Sequence, residues 1–347
     1  MARPLRILNI MLARVRGGVE SMALTYHEAL RSQGFDVLSL GHPQGVLAEN
    51  LPPLEFRPVK ARFNLDPAAM FRIARLSRAF QPDLVLTHGN RAAGLALSPF
   101  LSIDDRVVCV LHNAFFKPHL RHGRAALCVS SSILAAARAY MPEANLHLMS
   151  NFARLDVGAV RRSKPEAPCI VALGRLHEQK GFDVLIDAAA RLRQMGLNFR
   201  LLIGGEGEEG ASLRAQAHRL GLGDTVIFQG WIDDGAAFLA QGDLMLVPSR
   251  YEPFGLVVIE AMAAGLPVIA SDLEGPREIL DGGRLGAVVP AGNPEALAKA
   301  VQTALDQYPQ TCERAALAQQ EALKTYGFEA GAARLAQVLR SLCVAAA

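Results

Sequence analysis

Two carboxylates, Glu252 and Glu260, sit inside the stretch Ser249-Arg-Tyr-Glu-Pro-Phe-Gly-Leu-Val-Val-Ile-Glu-Ala-Met-Ala-Ala-Gly-Leu-Pro267. A helix starting near Phe254, with Pro253 in its first turn, leaves the backbone N–H groups of Phe254, Gly255 and Leu256 without intrahelical acceptors. Such donors make a seat for phosphate or another anion. Glu252, in the loop before them, would repel a bare phosphate and suits a neutral, hydroxyl-rich group. Glu260 lies about two turns into the helix, on the face of Leu256. A sugar joined to a diphosphate satisfies all three features. One acid grips sugar hydroxyls, the amides hold phosphate, and the second acid grips a ribose.

Other constellations fit the same ligand. Gly174-Arg-Leu-His-Glu-Gln-Lys-Gly181 places Arg175 and Lys180 just before a helix, where two cations suit a diphosphate or are simply solvated charges. Gly205-Glu-Gly-Glu-Glu-Gly210 matches the dinucleotide fingerprint, but Glu206, Glu208 and Glu209 would repel a pyrophosphate. Gly205 and Gly207 then read as close backbone approach to a nucleoside or phosphate, or as a plain turn. Trp231 flanks a base or packs between domains, and main-chain groups around Trp231 and Ile232 are placed to read a base edge. His112 ends a strand, where it bonds a sugar hydroxyl, orients an acceptor, or is structural. His88-Gly-Asn90-Arg91 holds a similar but weaker position on the acceptor side, and Gly17-Gly18 offers two amides to a phosphate or an acceptor. The chain has no H-E-x-x-H, D-x-D or Walker loop, so phosphate charge falls to Arg175, Lys180 and helix N-termini rather than to a metal ion.

The elements that must position these residues follow from the apolar runs. Strands are expected at Leu5–Met11, Phe35–Leu40, Asp83–Thr87, Arg106–Leu111, Ala126–Val129 and Leu146–Met149, with helices between, among them one opening at Asp66-Pro67 and running to Phe80. Residues 41–66 are broken by prolines. The polar stretch 158–168 reads as a linker. A second alternation follows, with strands at Cys169–Leu173, Phe199–Ile203, Val226–Phe228, Asp243–Val247, Pro267–Ala270 and Ala287–Val289, and helices near 180–195, 211–220, 234–241 and 254–264. Alternation of this kind is α/β: in each half a parallel sheet covered on both faces, one architecture repeated. Expected boundaries are 1–163, 164–327 and a last helix, 328–347. Ligands bind beyond the C-terminal ends of such strands, where all the loops above fall. If the two sheets face each other, those loops line one cleft.

Composition narrows the class. At 347 residues, 51% hydrophobic and 20% charged, the chain is globular. Residues 1–165 carry 21 basic and 11 acidic side chains, a net +10, while the remainder carries 15 and 22, a net −7. A basic first half suggests an acidic or membrane-borne acceptor. The helix 67–80 interleaves Arg72, Arg75 and Arg78 with Met70, Phe71, Ile73, Leu76 and Phe80. It is either a core-facing helix with a solvated side or a contact with an anionic membrane surface. No aromatic-basic platform points to nucleic acid. Five cysteines without a C-x-x-C pair read as reduced and buried. Leu5–Ala13 is short and followed by Arg14 and Arg16, so it is not read as a leader, and no run reaches transmembrane length. The expected location is cytoplasmic, with a peripheral place on the inner face of the membrane allowed.

Glu252-x7-Glu260, G-R-L-x-x-x-K-G, G-x-G after the next strand and G-W-I-D-D together closely resemble the family-4 retaining glycosyltransferases of the GT-B fold (the group 1 glycosyltransferases), densely over about 169–290. The resemblance implies two facing Rossmann-like domains, with the last helix packing back on the first. It implies that Glu260 binds ribose, that Glu252 binds the donor sugar beside the Phe254–Leu256 amides, and that Arg175 and Lys180 hold the diphosphate. His112 would sit by the reacting sugar, and the first domain would take a glycan or lipid-linked acceptor, as in lipopolysaccharide synthesis. No cofactor is expected beyond the nucleotide-diphosphate sugar co-substrate, a UDP-sugar before a GDP-sugar. Where family members often carry N-G-x-D, this chain has Asn151-Phe-Ala-Arg-Leu-Asp156. An epimerase on the same fold and an inactive partner subunit are the alternatives.

Overall fold

The structure, a computed structural model, describes residues 3–14, 17–99, 101, 103–160 and 163–344; Arg16, and Arg161 and Arg162 of the expected linker, lie outside this set. In the first part, strands β1 (Arg6–Met11), β2 (Asp36–Gly41), β3 (Phe56–Pro58), β4 (Leu84–His88), β5 (Val107–Leu111), β6 (Ala125–Cys128) and β7 (Leu146–Leu148) form one parallel sheet. Its order is β3-β2-β1-β4-β5-β6-β7. Helices α1 (Gly18–Ser32), α2 (Val46–Asn50), α3 (Pro67–Phe80), α4 (Asn90–Ala96) and α5 (Ser131–Ala137) lie between the strands. Central strands such as Val-Val-Cys-Val-Leu are buried almost throughout, as a sheet covered on both faces requires. Asp66 caps α3 as expected, its side chain accepting from the Ala68 and Ala69 amides, with Pro67 at the first position.

The second sheet repeats the plan. Strands β8 (Cys169–Leu173), β9 (Arg200–Gly204), β10 (Val226–Gly230), β11 (Leu244–Val247), β12 (Val268–Ser271) and β13 (Ala287–Val289) are parallel, in the order β10-β9-β8-β11-β12-β13. Helices α6 (Phe182–Gln194), α7 (Gly210–Arg219), α8 (Gly235–Leu239), α9 (Leu256–Ala263), α10 (Glu274–Ile279), α11 (Pro294–Asp306) and α12 (Tyr308–Tyr326) accompany it, and α13 (Phe328–Val344) follows. In each sheet the strand order reverses beside the first strand, at β1/β4 and at β8/β11. These are the two switch points of doubly wound sheets.

The chain divides into two compact units, one running to Ala153 and resuming at Tyr326, the other spanning Arg154–Thr325. The division falls before the polar stretch 158–168 because that stretch is tied down. The Gly158 amide bonds the Ala263 carbonyl at 3.1 Å, and Gln319 Nε2 donates to both Gly158 O and Ala263 O. Helix α13 packs on α1 within the first unit, as expected of the last helix. There Gly331 lies against the Phe152 ring so closely that a Cβ would overlap it, and Arg340 donates to Gln33 O at 2.9 Å. The cysteines are free, four of them buried. The proline-broken segment 41–66 holds α2 and β3, too short to leave a periodic signal.

Candidate active site

The switch point of the second unit carries most of the expected donor residues. The loop after β8 ends in a short turn, Glu178–Lys180, then Gly181 at φ 65°. A Cβ on Gly181 would lie 2.1 Å from the Pro248 carbonyl, so only glycine lets this loop meet the end of β11. The Arg250 amide reaches Gln179 O at 2.8 Å. This contact brings Lys180 to Glu252: Nζ lies 2.6 Å from Oε2, and the buried Ser249 donates to the same oxygen at 3.2 Å. Glu252 is 9% exposed at its side chain and Lys180 30%, so the acid is the inner partner. Gly275, near the start of α10, seats against the carbonyls of Glu252 and Phe254 and fixes the loop from below.

Helix α9 begins at Leu256, two residues later than its sequence suggests. Gly255 takes φ 111°, outside the helical range, so the Phe254 and Gly255 amides belong to the loop. No side chain caps this helix start. Glu260 is half-buried, and burial, then the Asp156 carboxylate, raises its pKa above the ordinary value. Arg175 is exposed and forms no ion pair among the described residues. Arg250 is spent on Asp183 at 2.5 and 2.6 Å, and it holds that carboxyl below its usual range.

Gly205 and Gly207 serve the frame. A Cβ on Gly205 would fall 1.9 Å from Gly174 O, and one on Gly207 2.2 Å from Leu176 O. Their close approach is therefore to the neighbouring loop backbone. The Leu176 amide completes the clamp by bonding Glu206 O. Trp231 is 49% exposed, with its indole N–H on Asp233 at 2.9 Å, and Ile232 packs against Gly204.

In the first unit, His112 follows β5 and its Nε2 lies 3.1 Å from Nδ1 of His88. The two rings stack, with centroids 5.4 Å apart. Burial lowers the pKa of His112 to about 4, and burial with the neighbouring ring puts His88 well below its ordinary value. His88 is 1% exposed and its other nitrogen contacts Asn9 Oδ1 at 3.0 Å. With both nitrogens engaged, His88 has no free atom for an acceptor; it faces His112 instead. Asn90 is exposed and donates to Phe115 O at 2.7 Å, and Arg91 is exposed. At Gly17-Gly18 the Glu20 carboxylate lies against Gly17, an unfavourable neighbour for phosphate there. Residues that sequence reasoning missed are Ser249, Asp156 and Asn9. Asn9 left a signal, a lone amide within the apolar run Ile7–Met11.

Among the described residues no group of three or more His, Cys, Asp or Glu side chains is arranged to hold a metal. No helix of the described residues is long and apolar enough to cross a membrane.

Comparison with known proteins gives two family matches: Glycosyl transferases group 1 over residues 159–322 and Glycosyltransferase Family 4 over 16–157. The phosphatidyl-myo-inositol mannosyltransferase of Mycobacterium leprae is 30% identical over 358 residues, covering 94% of each chain. The lipopolysaccharide core biosynthesis glycosyltransferase LpsE of Rhizobium meliloti is 39% identical over 236 residues, 67% of this chain and 68% of that one. Among solved structures, Anabaena HepE in complex with UDP superposes with a TM-score of 0.83 at 21% identity, covering 97% of this chain and all of the other.

Proposed function

The chain belongs to the group 1, family 4 glycosyltransferases on the two-sheet GT-B fold, and we propose that it transfers a sugar from a nucleotide-diphosphate donor to a glycan or lipid-borne acceptor, with retention at the anomeric carbon. The observation that carries this reading is the Lys180–Glu252 contact across the β8/β11 switch point, beside the uncapped start of α9. A cation and a carboxylate side by side suit a ligand that joins negative phosphate to neutral hydroxyls. In this reading Lys180 and Arg175 hold the diphosphate, Glu252 takes sugar hydroxyls, and Glu260 takes the ribose. Negative charge grows on the leaving diphosphate, and the two cations and the α9 amides are the groups that stabilise it. The leaving phosphate, on the attacked face, assists the incoming hydroxyl.

A UDP-sugar is the favoured donor, supported by the likeness to a protein crystallised with UDP. For the acceptor, the named relatives act in phosphatidyl-inositol mannosylation and lipopolysaccharide core synthesis. The first unit adds a physical reason. Phe63, Leu65 and Phe71 are exposed, Phe71 by 73%, beside Arg72 and Arg75 on or near α3. Phe71 is thus outside the core, and the surface suits the anionic face of a membrane. A panel of nucleotide sugars in a thermal-shift assay tests the donor assignment. Stabilisation by one UDP-sugar is expected, and stabilisation by none would refute it.

A further inference from the structure

Asn9, Ser39, His27 and His88 are all buried in the first unit, and their hydrogen bonds join end to end. The Ala23 carbonyl sets the sense of the chain. A carbonyl only accepts, so Asn9 turns its Nδ2 toward it, at 2.9 Å, and leaves Oδ1 facing His88 Nε2. Oδ1 also only accepts, so His88 Nε2 carries a hydrogen. Neutral His88 then has a bare Nδ1, and the hydrogen of the 3.1 Å contact must come from His112 Nε2.

The other half agrees. The second Nδ2 hydrogen of Asn9 goes to Ser39 Oγ at 3.1 Å. Ser39 donates to His27 Nδ1 at 2.9 Å, and His27 Nε2 donates to Glu55 Oε2 at 2.9 Å. Arg31 holds the other oxygen of Glu55 at 3.0 Å. The hydrogen bonds therefore run one way, from His112 through His88, Asn9, Ser39 and His27 to Glu55. Two fixed acceptors, the Ala23 carbonyl and the Glu55 carboxylate, impose the same sense independently.

We propose that this buried chain is a positioning device that holds His112 in one tautomer, hydrogen on Nε2 and lone pair on Nδ1, so that His112 meets substrate as a hydrogen-bond acceptor. Nδ1 bonds to no described residue, which leaves it available. A lone pair there takes a hydroxyl and repels a phosphate oxygen, so His112 selects a sugar hydroxyl over the diphosphate. That last step rests on the donor reading above; the tautomer does not. His88, Asn9, Ser39, His27 and Glu55 act through His112 without touching substrate.

Long-range nitrogen–proton correlation spectra of ring-labelled histidine in the whole protein at neutral pH test this without any ligand. The expected result is that His112, His88 and His27 are each neutral, with hydrogen on Nε2 and a bare Nδ1. A hydrogen on Nδ1 of any of the three overturns the proposal. Adding a UDP-sugar that stabilises the protein should shift His112 Nδ1 toward a hydrogen-bonded value, while UDP alone should not. A stabilising sugar donor that leaves Nδ1 unmoved overturns the acceptor role. If no nucleotide sugar stabilises the protein, the donor reading fails and the ligand-free spectrum still decides the tautomer. His88→Gln, which can accept from His112 and donate to Asn9, should keep kcat/KM. His88→Phe should lose about tenfold, the worth of one substrate hydrogen bond. Equal activity in the two variants contradicts the positioning role.

Discussion

Glu252 and Lys180 carry the sharpest expectations at the scale of single residues. Glu252→Ala and Lys180→Ala should each cost about 10²–10³-fold in transfer, the range for removing one preorganised charge or donor. Both proteins should stay folded: the lysine left behind in Glu252→Ala is 30% exposed, and the carboxylate left behind in Lys180→Ala keeps the Ser249 hydroxyl. Glu252→Gln keeps hydrogen bonds to Ser249 and to sugar hydroxyls and should lose less than Glu252→Ala. Wild-type rates in either alanine variant, measured with circular dichroism confirming the fold, would remove these residues from the site. The histidines make a second expectation. His112, His88 and His27 all have pKa values lowered chiefly by burial, His112 to about 4 from an ordinary 6.5. His27 is lowered even though Glu55 pulls the other way. Below pH 6.5 the unfolded chain binds protons that these rings do not, so stability is full above that pH and falls as the pH drops toward 4. His112→Gln should show a shallower loss of melting temperature between neutral and acid pH; an unchanged slope would contradict a neutral ring at this half-buried position.

The loops after β8, β9 and β11 work as one element because glycines let their backbones touch. Gly205→Ala or Gly181→Ala must push a carbonyl aside and strain a positive φ, costing about 1–3 kcal/mol or more. Chemical denaturation should show that loss, whereas Gly223→Ala, with open space around it, should be nearly neutral. The strands were legible because buried parallel strands are short apolar runs, and α3 was legible because Asp66-Pro67 caps it. The helix start at Leu256 was misplaced because Pro253 and Gly255 both permit a start, and only the backbone shows that Gly255 leaves the helical region. Of the site, Glu252 and Lys180 were each visible, but their contact joins residues from different strands and needed the fold. The role of Asn9 was invisible for the same reason: its partners come from β2, β4 and α1.

Across the whole molecule, two parallel sheets share one strand order apart from the seventh strand of the first, and the first half of the chain carries the basic excess. Flotation with vesicles containing anionic lipid should retain the protein at low salt and release it at high salt. Arg72→Glu with Arg75→Glu, or Phe71→Ser alone, should weaken that retention without lowering thermal stability, since these side chains are exposed. Equal binding to neutral vesicles would rule out the electrostatic part of this contact. If the second unit seats a nucleotide-diphosphate sugar at its switch point, titration calorimetry with a UDP-sugar on the wild-type protein, Lys180→Ala and Glu260→Ala will show it. The expected outcome is saturable binding by the wild type and a loss of about tenfold or more in each variant. Binding that both variants retain at wild-type strength would contradict it.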